Sequence, residues 1–347
     1  ALARGAKLVV FEPRRIPLTS LADVWCQMRP GTDVAWINGL MHVIIKEDLY
    51  DRSFVAERTE GFEEVKAVVE KYTPEHVEKL TGIPADDIVA AARIYASGKP
   101  ASILYSMGIT QHSSGTDNVK SLANLAMLCG NMGVEGGGVN PLRGQNNVQG
   151  ACDMGGLPNV YPGYQQVVND EARAKFEKAW GTDLSPDLGI PLTEMVPKAA
   201  TGEIKALYIM GENPLLSDPD LPHVREAFDK LDFLVVQDLF VTETAKVADV
   251  VLPAASYAER LGTVTNTERR VQLTHPVIDP IDGSRPDWEI IVDLAARMGH
   301  EWKYDSVSDV FDELAGLTPQ YGGISYERLY NGEQLCWPVP TSKHPGT

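Results

Sequence analysis

Cysteine is scarce. Cys26, Cys129, Cys152 and Cys336 are the only four in 347 residues, and they lie far apart with no CxxC pair. That spacing writes neither a disulfide framework nor a zinc or iron–sulfur site, and reduced thiols of a cytoplasmic protein are the expectation. Long apolar runs are missing as well: no window holds the roughly 18 consecutive apolar residues of a membrane-spanning helix. The opening, ALARGAKLVVFEPRR, lacks the apolar stretch and small-residue cleavage site of a secretory signal. It reads as the tail of a helix entering a buried strand, so the chain is expected to begin inside a longer one. GxSxG, GxxxxGK[ST], HExxH and GxGxxG are all absent. Hydrolase, nucleotide-hydrolysing, zinc-protease and simple NAD readings therefore have no motif to rest on.

Positive charge is also in short supply. Lys and Arg number 31 against 48 Asp and Glu, a net of −17, which argues against a nucleic-acid partner because phosphate binding needs a basic surface. The imbalance is uneven: residues 1–150 hold 15 basic and 17 acidic side chains, and residues 151–347 hold 16 and 31. The first stretch is the better host for an anionic ligand. Hydrophobic residues make up 44% and charged residues 23%, ordinary for a soluble globular chain, and the length suggests about two domains.

What is present is an alternation of strands and helices, which predicts parallel sheets. The apolar run 7–11 reads as a buried strand stopped at Glu12-Pro13. Residues 33–46 carry helical periodicity behind Pro30-Gly31-Thr32-Asp33, and further helices are expected near 60–71, 74–80, 85–97 and 116–130. Proline is expected in the first turn of the 74–80 and 85–97 helices. A strand over 101–106 separates the last two helices. Strands follow at 204–211, 233–237 and 248–253, with one helix over 220–231 between the first two, and a helix over 286–299 has Asp287 in its first turn. Beyond Trp302 the signals weaken, and VPTSKHPGT reads as a linker. Between Gly130 and Gly163 the chain is dense in Gly, Asn, Gln and Pro without any period. So long a stretch exceeds a mere connector and is expected to be a binding loop.

Polar residues after strands are the candidates for chemistry. Glu12 stands where a dinucleotide fold places an acid against a ribose hydroxyl; pairing with Arg14 or Arg15 is the equal alternative. The turn before 33–46 offers amides to a phosphate or Asp33 to a base, against Thr32 or Asp33 as a plain helix cap. Gly211, Glu212 and Asn213 end one strand and Gln237 and Asp238 another. Their ends should line one crevice, where a carboxylate can accept both N–H groups of a guanine edge. In the long loop, Asn140, Gln145, Asn146, Asn147 and Gln149 supply amides, while Gly144, Gly150, Gly155 and Gly156 are expected to let the backbone approach a ligand. Arg143 is the only basic residue between Lys120 and Arg173, a clamp for a small carboxylate or else a structural partner of Glu135 or Asp153.

The run GVNPLRGQNNVQGACDMGGLPNVYPGY (138–164) resembles the signature loop of molybdenum- or tungsten-dependent formate dehydrogenase catalytic subunits, in the molybdopterin oxidoreductase superfamily. The likeness continues through YSMGITQHSSGTDNV (105–119), YIMGENP (208–214), VVQDLFVTETAKVADVVLPAAS (235–256) and ERLGTVTNTERRVQ (259–272), essentially the whole chain. Nitrate and dimethylsulfoxide reductases share the MGxNP and ADVVLP themes but not RGQNNVQG as a block.

The resemblance implies an α/β fold of the formate dehydrogenase/DMSO reductase type: two mainly parallel-sheet, dinucleotide-binding-like domains at 1–145 and 146–257, and a bridging α/β extension at 258–347. It implies a bis-molybdopterin guanine dinucleotide with Mo or W. Met107, Gly108, Gln111 and Gln145 would approach the pterins. Gly211, Glu212, Asn213, Gln237, Asp238 and Thr242 would hold one dinucleotide, and Glu12 and Asp33 the other. Most relatives end the first strand in Asp-Pro-Arg, where this chain has Glu12. Arg143 would hold formate, oxidised reversibly to CO₂, with electron-transfer subunits and the rest of the parent chain as partners. The four-cysteine motif for a 4Fe–4S cluster and the Cys or selenocysteine metal ligand have no counterpart here, so this segment is expected to supply no metal ligand and to be inactive alone. An assimilatory nitrate reductase type and a non-catalytic cofactor-binding fragment are the alternatives.

Overall fold

The computed structural model describes residues 1–346 and divides the chain into two compact units, one from Ala1 to Gly144 and one from Gln145 onward. In the first unit, apolar residues run round most of helix Asp33–Lys46, and this helix accordingly lies in the core. It buries Trp36, Ile37, Leu40, Met41, Val43 and Ile44. Helices Pro74–Thr81, Ala85–Ser97 and Gly115–Leu128 pack around it. Gly39 permits a close approach, since a Cβ there would meet Val77 Cγ2 at 2.8 Å. Thr73 caps Pro74–Thr81 by accepting from the His76 amide at 3.3 Å, with Pro74 in the first turn. Pro84 instead precedes Ala85–Ser97 as its N-cap, one residue earlier than expected. The 60–71 helix is shorter, Phe62–Val69, and Arg52–Arg58 forms an additional one.

Strand β1 (Val9–Phe11) pairs in parallel with β2 (Val24–Cys26), and β3 (Ser102–Tyr105) pairs in parallel with β4 (Gly138–Pro141). Strand β4 lies inside the stretch expected to be an aperiodic loop, as does helix Val148–Asp153. Glycine and amide side chains leave no alternation to read; the pairing is supplied by β3, more than thirty residues away in sequence.

In the second unit, helix Val148–Asp153 is followed by a minimal antiparallel pair, β5 (Val160–Tyr161) and β6 (Gln165–Gln166). Strands β7 (Ala206–Met210), β8 (Phe233–Asp238) and β9 (Val250–Pro253) then form a parallel sheet with β8 central. Two helices, Pro214–Ser217 and Leu221–Phe228, join β7 to β8 where one was expected. Leu215, Val224, Ala227 and Phe228 pack with Leu234 and Val236 of β8. Helices Asp170–Trp180 and Leu192–Thr201 were not anticipated; helix Asp287–Arg297 was, with Asp287 in its first turn.

The region beyond Trp302 corrects the sequence reading most. Hairpin β10 (Gly262–Thr265) and β11 (Val271–Thr274) joins helices Val307–Leu317 and Tyr326–Tyr330 around a core of Val271, Phe311, Tyr321, Ile324, Leu335 and Val339. Ser306 and Asp309 form a reciprocal capping box on Val307–Leu317. The supposed linker is anchored: Val339 is fully buried, and the His344 carbonyl accepts from Arg328 Nη2 at 3.0 Å. Both units are thus mixed α/β with small parallel sheets. Among the described residues no helix is long and apolar enough to cross a membrane.

Candidate functional site

In the first unit the chemistry-bearing residues gather where parallel strands end. Register pairs Tyr105 with Pro141, the Leu142 amide donates to the Tyr105 carbonyl at 2.7 Å, and Ser106 Oγ donates to the Leu142 carbonyl at 2.9 Å. Met107 and Arg143 therefore leave neighbouring strand ends, the edge where open α/β sheets bind ligands. Both side chains are exposed. Burial pushes the Tyr105 phenol up, and the charge of Arg143 partly offsets it. Gly108 and Gln111 lie on the short turn Met107–Thr110 and just past it, and a Cβ on Gly108 would meet nothing within 4 Å.

Glu12 and Asp33 are brought to one end by the Phe11–Trp36 stack, with ring centroids 3.8 Å apart. Glu12 Oε1 accepts from the Arg14 amide at 3.1 Å, with Arg14 Nε 3.8 Å away. Asp33 is 2% exposed and opens its helix; Trp36 Nε1 donates to its Oδ1 at 3.3 Å. His112 Nε2 lies 3.9 Å from Asp33 Oδ2 and 3.0 Å from the Gly108 carbonyl, tying the Met107–Gln111 turn to that carboxylate. The plain-cap reading is corrected: Thr32 occupies the cap position, but its Oγ1 donates back to the Arg29 carbonyl at 2.6 Å. His112 was missed in the sequence because nothing local marks a histidine 79 positions from its carboxylate.

In the second unit, Gly211, Glu212 and Asn213 follow β7 while Gln237 and Asp238 end β8; the Gly211 amide donates to the Gln237 carbonyl at 2.9 Å. Gly211 has φ +66°, and a Cβ on it would face open space. Burial raises the Glu212 carboxyl, and Asp218 adds to it. Asn213 is a clip: its Oδ1 accepts from Thr244 Oγ1 at 2.7 Å and the Thr244 amide at 3.1 Å, and its Nδ2 donates to Glu243 Oε2 at 2.7 Å. Thr242 Oγ1 accepts from the Ala245 amide at 3.1 Å. Gln237 is wholly buried; Tyr208 Oη donates to its Oε1, and its Nε2 donates to Asp287 Oδ1 at 2.7 Å. Its amide is engaged at both ends by protein. Asp238 is half-buried, with Oδ1 accepting from the Leu239 amide at 2.6 Å.

The amide-rich loop splits into two groups. Gln145 and Asn146 are exposed, whereas Asn147 Oδ1 accepts from the Thr265 amide at 2.9 Å and Gln149 is buried against Asp153. Three of its glycines serve the loop itself, not the approach of a ligand. A Cβ on Gly150 would lie 2.0 Å from Asn147 Oδ1, one on Gly155 3.0 Å from the Pro162 nitrogen, and one on Gly156 2.8 Å from the Ala151 carbonyl. Gly144 alone of the four faces open space. In each unit an open glycine stands at a strand-end edge beside polar side chains that can meet a polar ligand, Gly108 and Gly144 in the first and Gly211 in the second. Among the described residues no cluster of three His, Cys, Asp or Glu could hold a metal.

Parallel strand ends bearing polar residues are the ligand-binding edges of an α/β fold, and the chain belongs to the molybdopterin oxidoreductase family, whose model matches residues 1–297. It is similar to the F420-dependent formate dehydrogenase subunit alpha of Methanocaldococcus jannaschii, 52% identical over 346 residues, covering 99% of this chain and 51% of that protein. Formate dehydrogenase H of Escherichia coli is 47% identical over 339 residues, covering 97% and 47%. Among solved structures, acetylene hydratase from Pelobacter acetylenicus superposes with a TM-score of 0.75 at 25% identity, over 96% of this chain and 48% of that one. The chain spans about half the length of the curated relatives it matches.

Proposed function

We propose that this chain is the cofactor-cradling part of a formate dehydrogenase catalytic subunit that oxidises formate to CO₂ and can run the reverse. The observation that carries the reading is the pairing of β3 with β4, which sends Arg143 and the Met107–Gln111 turn out of neighbouring strand ends. The names of the relatives at 47–52% identity support it.

Formate offers two oxygens and one C–H. A guanidinium grips both oxygens through parallel donors and leaves the hydrogen pointing away, while its fixed charge favours the anion. Arg143 would hold the carboxylate in this way. Met107, Gly108, Gln111 and Gln145 would meet the pterins. Glu12 and Asp33 would hold one guanine dinucleotide; Gly211, Glu212, Asp238 and Thr242, with Asn213 and Gln237 shaping their loops, would hold the other. On this reading residues 1–145 and 146–257 each seat one dinucleotide, and residues 258–347 form an extension. When bound, the Mo- or W-bearing cofactor would take up the two electrons and the proton, together a hydride, released as the formate C–H bond breaks. The protein orients the anion and supplies the surrounding charge. The reading includes a 4Fe–4S cluster elsewhere in the parent chain, electron-transfer partner subunits and a cytoplasmic setting.

Kinetics of the full-length enzyme test it. Arg143→Lys keeps charge but loses the fork, so affinity falls less than rate. Arg143→Ala loses both, about 3 kcal/mol or roughly a hundredfold in kcat/KM, with pterin and metal content near normal. Turnover within a fewfold of wild type in Arg143→Ala would show that the carboxylate is held elsewhere. Nitrate reduction in place of formate oxidation by the wild type would move the enzyme to another branch of the family.

A further inference from the structure

Beneath the loop that presents Gln145 and Asn146 lies a carboxylate that accepts from four neutral donors. Asp153 is 1% exposed at the end of helix Val148–Asp153. Gln149 Nε2 and Tyr164 Oη both donate to its Oδ1 at 2.8 Å, while Tyr321 Oη at 2.6 Å and Trp337 Nε1 at 2.8 Å donate to its Oδ2. The space among these side chains closes without a water-sized void. Tyr321 Oη, having donated to Asp153, accepts from Thr265 Oγ1 at 3.1 Å, and the Thr265 amide donates to Asn147 Oδ1 at 2.9 Å. The chain of bonds Asn147–Thr265–Tyr321–Asp153–Gln149 is closed into a ring by the backbone from 147 to 149.

The ring forces a choice on the loop. Asn147 is held at φ +63°, the left-handed region, with its amide oxygen in the space a Cβ on residue 150 would need. Asn147 and Gln149 are thereby turned inward, and Gln145 and Asn146 are left exposed. A carboxylate suits the centre because its two oxygens can accept four donors; an amide would set an NH₂ group against two of them. Burial and the adjacent carboxylate both raise the Tyr164 and Tyr321 phenols, which keeps them as donors.

We propose that Asp153 is a positioning residue: through this ring it fixes the direction in which Gln145 and Asn146 face the pterin cofactor. The proposal rests on the reading above that Gln145 meets the pterin. Catalysis is sensitive to placement on the scale of an ångström, so a loosened loop should affect rate more than binding of the small substrate.

The test uses the full-length protein with Tyr321→Phe, which cuts two links of the ring while preserving its packing, and Asp153→Asn, which reverses one acceptor. Hydrogen exchange read by mass spectrometry should speed about tenfold over residues 145–149 in Tyr321→Phe, with strand Phe233–Asp238 unchanged. In the same variant kcat should fall about tenfold at unchanged KM for formate, with near-normal pterin content. Asp153→Asn should show the same pattern more strongly; if it does not fold, Tyr321→Phe decides. A lowered melting temperature with wild-type exchange over 145–149 and wild-type kcat would mean the ring is only structural, and would overturn the proposal. If the wild-type enzyme turns over no formate, the functional reading fails, and exchange over 145–149 with pterin content still decides whether Asp153 orders the loop.

Discussion

At the scale of single residues, side chains with similar prospects in the sequence part company once their partners are seen. Gln237 and Asp238 are adjacent, yet one is wholly buried between Tyr208 and Asp287 while the other is half-buried at the strand end. Gln237 is covered because Tyr208 and Asp287 close over its side chain, whereas Asp238 is the last residue of β8. Glycines divide in the same manner. Gly108 faces open space, but a Cβ on Gly115 would lie 2.1 Å from the Thr110 carbonyl, where the Met107–Gln111 turn meets the next helix. Gly115→Ala must therefore push that turn aside. We expect a loss of about 1–3 kcal/mol in denaturant unfolding, the usual cost of overpacking, and reduced pterin content in the full-length enzyme. Gly108→Ala at the same turn should leave unfolding nearly unchanged and lower pterin content alone.

At the scale of elements, the strand-end loops are held by bonds that run between them. The Asn213–Thr244 clip joins the loop after β7 to the loop after β8, and Thr244 Oγ1 also accepts from the Leu215 amide at 3.2 Å. Asn213→Ala and Thr244→Val should each destabilise the protein by about 1–3 kcal/mol, and a double-mutant cycle should show strong coupling, because either change already breaks the shared hydroxyl–amide bond. Additive losses would mean that the loops are fixed independently. Helix Arg52–Arg58 offers a pH-dependent counterpart. Its cap, Asp51, is held well below the usual carboxylate range by Lys99 at 2.8 Å, then by the Phe54 amide at 3.0 Å and by Ser53. A carboxyl depressed by folding stabilises the native state above its unfolded value and ceases to do so as pH falls through the folded one. Asp51→Ala should therefore cost about 1–2 kcal/mol near neutral pH, and urea midpoints of variant and wild type should converge under strong acid.

At the scale of the whole molecule, the net charge of −17 sits mostly in residues 151–347. Self-repulsion of that kind weakens the folded state and is screened within about 10 Å at 0.1 M salt. Raising ionic strength from about 10 mM to 0.15 M should raise the melting temperature slightly, by under about 1 kcal/mol of stability, and binding to a polyanion resin should be negligible. A fall in melting temperature with salt would mean that attractive pairs, such as Arg93–Glu47 and Arg328–Glu333, dominate the electrostatics.

The sequence by itself determined the periodic part of this protein. Helix Asp33–Lys46, the strands β7 and β8 and the exposed strand-end residues follow from the spacing of apolar side chains and from proline and glycine punctuation. The family was legible from the RGQNNVQG block, and the chain's match to the molybdopterin oxidoreductase model agrees. Tertiary structure alone decided the rest. Strand β4 exists because β3 pairs with it, and the core around Phe311, Tyr321 and Val339 exists because β10 and β11 cover it. Which amides of the signature loop face inward was settled by Thr265, Tyr321 and Trp337, residues more than a hundred positions away. A hydrogen bond over such a separation leaves no period in the chain. Its partners become recognisable only when folding has removed the water that would otherwise satisfy them.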